Sequence, residues 1–178
     1  MIAAAWDASG RAAVDEYFAR FADRLGAQPT STISGPRFHL GVWPLTGIEQ
    51  LDAEGGFAWI GKLSTPPDLS SVAAVSGTGG EYALIAPQNA GLLLARGRYA
   101  GRCVYYACPR AGAILACSRL EPLVAALAEP LTFDVRWMAA MIAAESCDDL
   151  SATVYRRIRR LRAGEALFID SNGCIEGQ

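Results

Sequence analysis

Glu81-Tyr82-Ala83-Leu84-Ile85-Ala86-Pro87-Gln88-Asn89-Ala90-Gly91-Leu92-Leu93-Leu94-Ala95-Arg96 contains two short apolar runs parted by Pro87 to Asn89. A helix over this stretch would need a 3.6-residue apolar repeat and would not carry proline and asparagine at its middle. The pattern therefore predicts two strands, Glu81 to Ala86 and Gly91 to Arg96, with a turn between them. So short a link joins antiparallel neighbours, because a parallel crossover needs a dozen or more residues. The rhythm continues on both sides: Phe38 to Trp43, Phe57 to Leu63, Cys103 to Ala107 and Ala113 to Ala116 are further strand candidates. Pro66-Pro67, Gly77 to Gly80 and Pro109 to Gly112 break the chain between them.

Helical spacing flanks the strands. Met1 to Trp6 is apolar but has no basic leader, so it reads as a first strand and not as a signal peptide. Ser9 is placed to cap a helix in which Val14, Phe18, Phe21 and Leu25 share a face, with Glu16 to Arg20 as an i,i+4 pair and Gly26 ending it. After the strands, Ser118 is expected to cap a helix carrying Leu120, Leu123, Val124 and Leu127 inward. Asp134 is expected to cap another with Val135, Met138 and Ile142 inward. Glu165 to Ile169 reads as a strand, Asp170 to Gly173 as a turn, and Cys174-Ile175 as the opening of a return strand. A return arm that short would leave the first arm as an unpaired edge. Helix, many strands, then helices predicts an α+β fold with layered antiparallel sheets.

With 178 residues, one domain is expected. Hydrophobic residues at 52% against 19% charged exclude intrinsic disorder. A net charge of −2 gives no global reason to expect nucleic acid or an anionic membrane as partner. Five irregularly spaced cysteines and one histidine argue against a zinc cage or a disulfide framework. No apolar window is long enough for a membrane span, and a cytoplasmic location is expected.

Four features invite a chemical reading. Ser76-Gly77-Thr78-Gly79-Gly80 is dense in glycine, but no Lys-Ser/Thr follows and a strand comes next, so a turn is expected and not a phosphate loop. Arg156-Arg157-Ile158-Arg159-Arg160-Leu161-Arg162 has five arginines in seven residues. Without interleaved aromatics it reads as a surface strand or turn anchored by Ile158 and Leu161. His39 lies in an apolar run and is expected to be structural. Asp148-Asp149 marks a loop more simply than an acid/base pair. No catalytic constellation emerges from the residues alone.

The stretch from Gly80 to Asp170 resembles the N-terminal, class II glutaminase-like domain of the asparagine synthetase family. Gly80-Glu81-Tyr82-Ala83 is similar to the family's Gly-x-Phe-Ala. Arg96-Gly97-Arg98-Tyr99-Ala100-Gly101-Arg102-Cys103-Val104-Tyr105-Tyr106 is similar, in register, to Arg-Asp-Arg-Phe-Gly-x-(Lys/Arg)-Pro-Leu-Tyr-Tyr. Ala116-Cys117-Ser118-Arg119 resembles Phe-Ala-Ser-Glu. Thr153-Val154-Tyr155-Arg156-Arg157-Ile158-Arg159-Arg160-Leu161-Arg162-Ala163-Gly164 resembles Thr-(Leu/Val)-(Phe/Tyr)-x-x-Ile-Arg-Arg-Leu-x-Pro-Gly. The first 79 residues match loosely.

The resemblance implies an N-terminal nucleophile hydrolase-like αββα sandwich, two antiparallel sheets between helical layers. It also implies that the glutaminase activity is lost. The family's nucleophilic cysteine follows Met; here Ile2 stands in its place, so no catalytic residue is expected. The Asn-Gly-Glu that supplies an oxyanion donor and holds the glutamine ammonium corresponds to Ile60-Gly61-Lys62. The family's Ser-Asp-Thr-Glu has no counterpart between Leu63 and Gly80. β-Lactam synthetases and lasso peptide cyclases resemble asparagine synthetases with such a silenced first domain. Their second half activates a carboxylate with ATP and magnesium on a Ser-Gly-Gly-x-Asp-Ser loop that is absent from residues 1–178. The implied reading is one degenerate glutaminase-like domain, truncated before an ATP-dependent synthetase domain in the same or a separate chain. It has no cofactor of its own, and that domain and a peptide or amine substrate are its partners. The alternative is a stand-alone binding module that uses Arg156 to Arg162 to hold an acidic ligand.

Overall fold

A computed structural model describes residues 1–44, 49–52, 54–143, 149–173 and 175–177. The stretch quoted first forms the predicted hairpin, with pairing from Ala83 opposite Arg96 to Gln88 opposite Gly91. In chain order the strands are β1 Ile2–Asp7, β2 Ser31–Ser34, β3 Phe38–Val42, β4 Glu49–Asp52, β5 Phe57–Leu63, β6 Gly80–Gln88, β7 Gly91–Arg96, β8 Tyr105–Ala107, β9 Ala113–Cys117, β10 Arg159–Arg160, β11 Ala166–Asp170 and β12 Ile175–Gly177. The helices are α1 Arg11–Leu25, α2 Val72–Ser76, α3 Leu120–Leu127 and α4 Val135–Ile142.

The described strands form two six-stranded sheets, ordered β10-β8-β9-β1-β3-β2 and β12-β11-β7-β6-β5-β4. Every pairing within them is antiparallel. Their inner faces share one apolar core. Ile2, Ala4 and Trp6 of β1 and Leu40 and Val42 of β3 meet Ala58 and Ile60 of β5, Ile85 of β6 and Leu92 and Leu94 of β7. On the outer face of the first sheet, Met1, Ala3 and Ala5 pack with Val14, Phe18 and Phe21 of α1 and Leu123 and Ala126 of α3. On the outer face of the second, Val72 and Val75 of the five-residue α2 cover Leu84 and Leu93. The fold is therefore α+β, with two antiparallel sheets face to face. This explains why β1 is apolar at every position but the last: both its faces are covered. No helix among the described residues is long and apolar enough to cross a membrane.

Several expectations are corrected. Ser9 does not cap α1. Its hydroxyl donates to Asp7 Oδ1 at 2.5 Å, and Gly10 is the cap residue, without a side-chain bond. Ser118 does not cap α3, because its Oγ accepts the N–H of Ile2 at 3.1 Å. Asp134 does cap α4, accepting from the N–H groups of Arg136 and Trp137. The expected inward face of that helix is turned out: α4 buries none of its residues, and Val135, Met138 and Ile142 are exposed. The helical spacing is there, but the described residues do not cover that face. β12 pairs with Leu167 to Ile169, so β11 is an interior strand and not an unpaired edge; Cys174 lies outside the described residues. β8 starts at Tyr105 and not Cys103, because the chain before it bends around the Arg96 guanidinium, which donates to the carbonyls of Ala100 and Leu161.

Candidate functional site

The start of the chain lies at the heart of the first sheet. β1 runs between β3 and β9, pairing Ile2 with Val42 and Ala3 with Cys117. The Met1 carbonyl accepts the N–H of Trp43 at 2.8 Å, and the Met1 ammonium donates back to the Trp43 carbonyl. The same ammonium pairs with Glu49 Oε1 at 2.8 Å, with both side chains shut off from solvent. Burial holds the amine below its ordinary value of 8.0, and the Glu49 carboxylate pulls it partly back. Sequence reasoning missed Glu49 and Trp43, because the group they hold is a backbone terminus with no side-chain signature.

Ile2 is fully buried, and its side chain joins the core between the sheets. Ile60, from the central part of β5 in the facing sheet, joins the same core. Gly61 and Lys62 follow on β5, with Lys62 exposed and paired in register with Glu81 of β6. The structure thus places Ile2 and Ile60, two of the positions singled out in the sequence, in one core between the sheets, and leaves Lys62 outside it. Both isoleucine side chains are branched hydrocarbon. Cys117, paired beside the chain start, is completely buried, which pushes its thiol up to about 12 and disfavours the thiolate. Burial also raises Cys103 and Cys108. Cys147 and Cys174 lie outside the described residues.

The arginine run is largely committed within the fold. Ile158 and Leu161 are fully buried, as their spacing predicts. Arg157 pairs with Glu129 and donates to the Pro109 carbonyl. Arg159 pairs with Asp149 at 2.9 Å, and Arg160 donates to the Leu150 carbonyl at 2.9 Å. Arg162 grips Glu165 through Nε and a terminal nitrogen, at 3.0 and 2.8 Å. Among the described residues only Arg156 has no side-chain partner within the run. Asp149 is consumed likewise: hydrogen bonds from Ser151 and the nearby Arg159 lower its carboxyl. Asp148, its expected companion, lies outside the described residues.

The glycine-dense stretch is a turn from α2 into β6, as expected. It borders a cavity of about 260 Å³ with Arg96, Arg98 and Tyr99. Among the described residues no three His, Cys, Asp or Glu side chains converge as a metal would require.

His39 stacks on Phe18, with ring centroids 3.8 Å apart and planes within 5°, and its Nδ1 is 3.3 Å from Asp15 Oδ1. Burial lowers its pKa from 6.5, and the hydrogen bond to Asp15 opposes that shift. A base held low in the folded state binds its proton more readily when unfolded. Stability is therefore present above the unfolded value and is lost as pH falls below about 6.5 toward the folded pKa. Thermal midpoints taken from about pH 7 down to about pH 5 are expected to fall less steeply in His39→Phe than in the parent chain. Parallel slopes would contradict the assignment.

A scan against protein-family models found no match to this chain, and a search of curated proteins found none either.

Proposed function

We propose that this chain is a catalytically silent glutaminase-like domain of an asparagine-synthetase-type amide ligase, and that its role is to support an ATP-dependent synthetase half. The observation that carries the reading is the burial of Ile2 and Ile60 in one apolar core between the sheets. In the family, a cysteine that follows Met attacks glutamine, and an Asn-Gly-Glu motif supplies the oxyanion donor. On this reading β1 and β5 hold the positions of that cysteine and that motif, and the hydrocarbon of Ile2 and Ile60 in the core between them supports a silenced site. The order of layers, α1 and α3, first sheet, second sheet, α2, agrees with an N-terminal nucleophile hydrolase-like sandwich.

On this reading the former active site has become structural. Ile2 and Ile60 supply burial, and Glu49 balances the ammonium of Met1, the residue ahead of the position where the family's cysteine would stand. ATP and magnesium belong to the synthetase half, as does the choice among asparagine, a β-lactam or a lasso ring as product. The location is cytoplasmic, where that half would find its nucleotide. Internal pairing of the arginines withdraws support from the stand-alone module for acidic ligands.

Incubation of the purified chain with glutamine is expected to release no glutamate above the spontaneous rate. Release that is abolished by a thiol-directed glutamine analogue would overturn the proposal.

A further inference from the structure

We draw no further inference here: the strongest candidate, the cavity of about 260 Å³ where the turn from α2 into β6 meets Arg96, Arg98 and Tyr99, carries nothing, because the Arg96 guanidinium is spent on the carbonyls of Ala100 and Leu161 and nothing in the structure shows what ligand the exposed Arg98 and Tyr99 would hold.

Discussion

Replacing Gly61 with alanine is expected to be among the most damaging single-methyl additions to this chain. Gly61 sits in β5 opposite Tyr82 with φ of +99°, a backbone conformation that side chains rarely adopt. A Cβ there would lie 2.1 Å from the carbonyl oxygen of Glu81, which is backbone and cannot rotate away. Strain and collision add, and a loss of about 3 kcal/mol or more follows. At this chain length that lowers the thermal midpoint by about 10 °C. Gly56→Ala separates the two causes. Gly56 also has positive φ, +72°, but nothing lies within 4 Å of its added methyl, so only the conformational cost of about 1 kcal/mol applies. Equal midpoints for the two variants would refute the collision. In the proposed correspondence with Asn-Gly-Glu, the flanking chemistry has gone while the glycine remains. A backbone pinch between β5 and β6 accounts for that, because it is needed whether or not a substrate is ever bound.

Glu49→Gln is expected to cost about 3 kcal/mol near neutral pH, the usual penalty for stripping one partner from a buried ion pair. The variant keeps its shape and hydrogen bonding but removes the carboxylate that balances the buried Met1 ammonium. The deficit depends on pH. Burial already lowers the amine below 8.0 in the parent chain, so unfolding takes up a proton between the folded value and 8.0, and stability rises with pH across that window. Without Glu49 the folded value drops further, so the rise begins at lower pH and is larger. Denaturant midpoints for parent and variant should therefore converge as pH approaches about 9. A gap that does not change with pH would mean that Glu49 acts through packing and not through charge.

Much of the frame was legible because burial has a period. The face of α1, the run Gly91 to Arg96 and the two anchors Ile158 and Leu161 all follow from alternation or helical spacing. The edge strands β2 and β4 were not legible. Ser31 to Ser34 and Glu49 to Asp52 are mostly polar, and only the ladders to β3 and β5 make them strands. Ser9 and Ser118 misled for one reason. A serine ahead of a helix caps it only if its hydroxyl is free, and here Asp7 and the N–H of Ile2 claim those groups first. α4 misled for another, since periodicity states that a face will be covered without stating whose residues cover it. At the candidate site, Ile2 and Ile60 could be placed by resemblance, whereas Glu49 came to light only when three dimensions set it against the chain start.

The position of β1 also bears on how the molecule is made. It is made before every other described strand and is apolar on both faces, yet it ends as an interior strand whose second neighbour, β9, begins only at Ala113. β3 can shield one of its edges early, while the other stays open until most of the chain has been synthesised. The second sheet has no such wait, because β5, β6 and β7 pair in sequence order. Synthesis therefore builds one sheet as it proceeds and holds the other in suspense, with a bare hydrophobic edge exposed to whatever chaperone or neighbouring chain reaches it first.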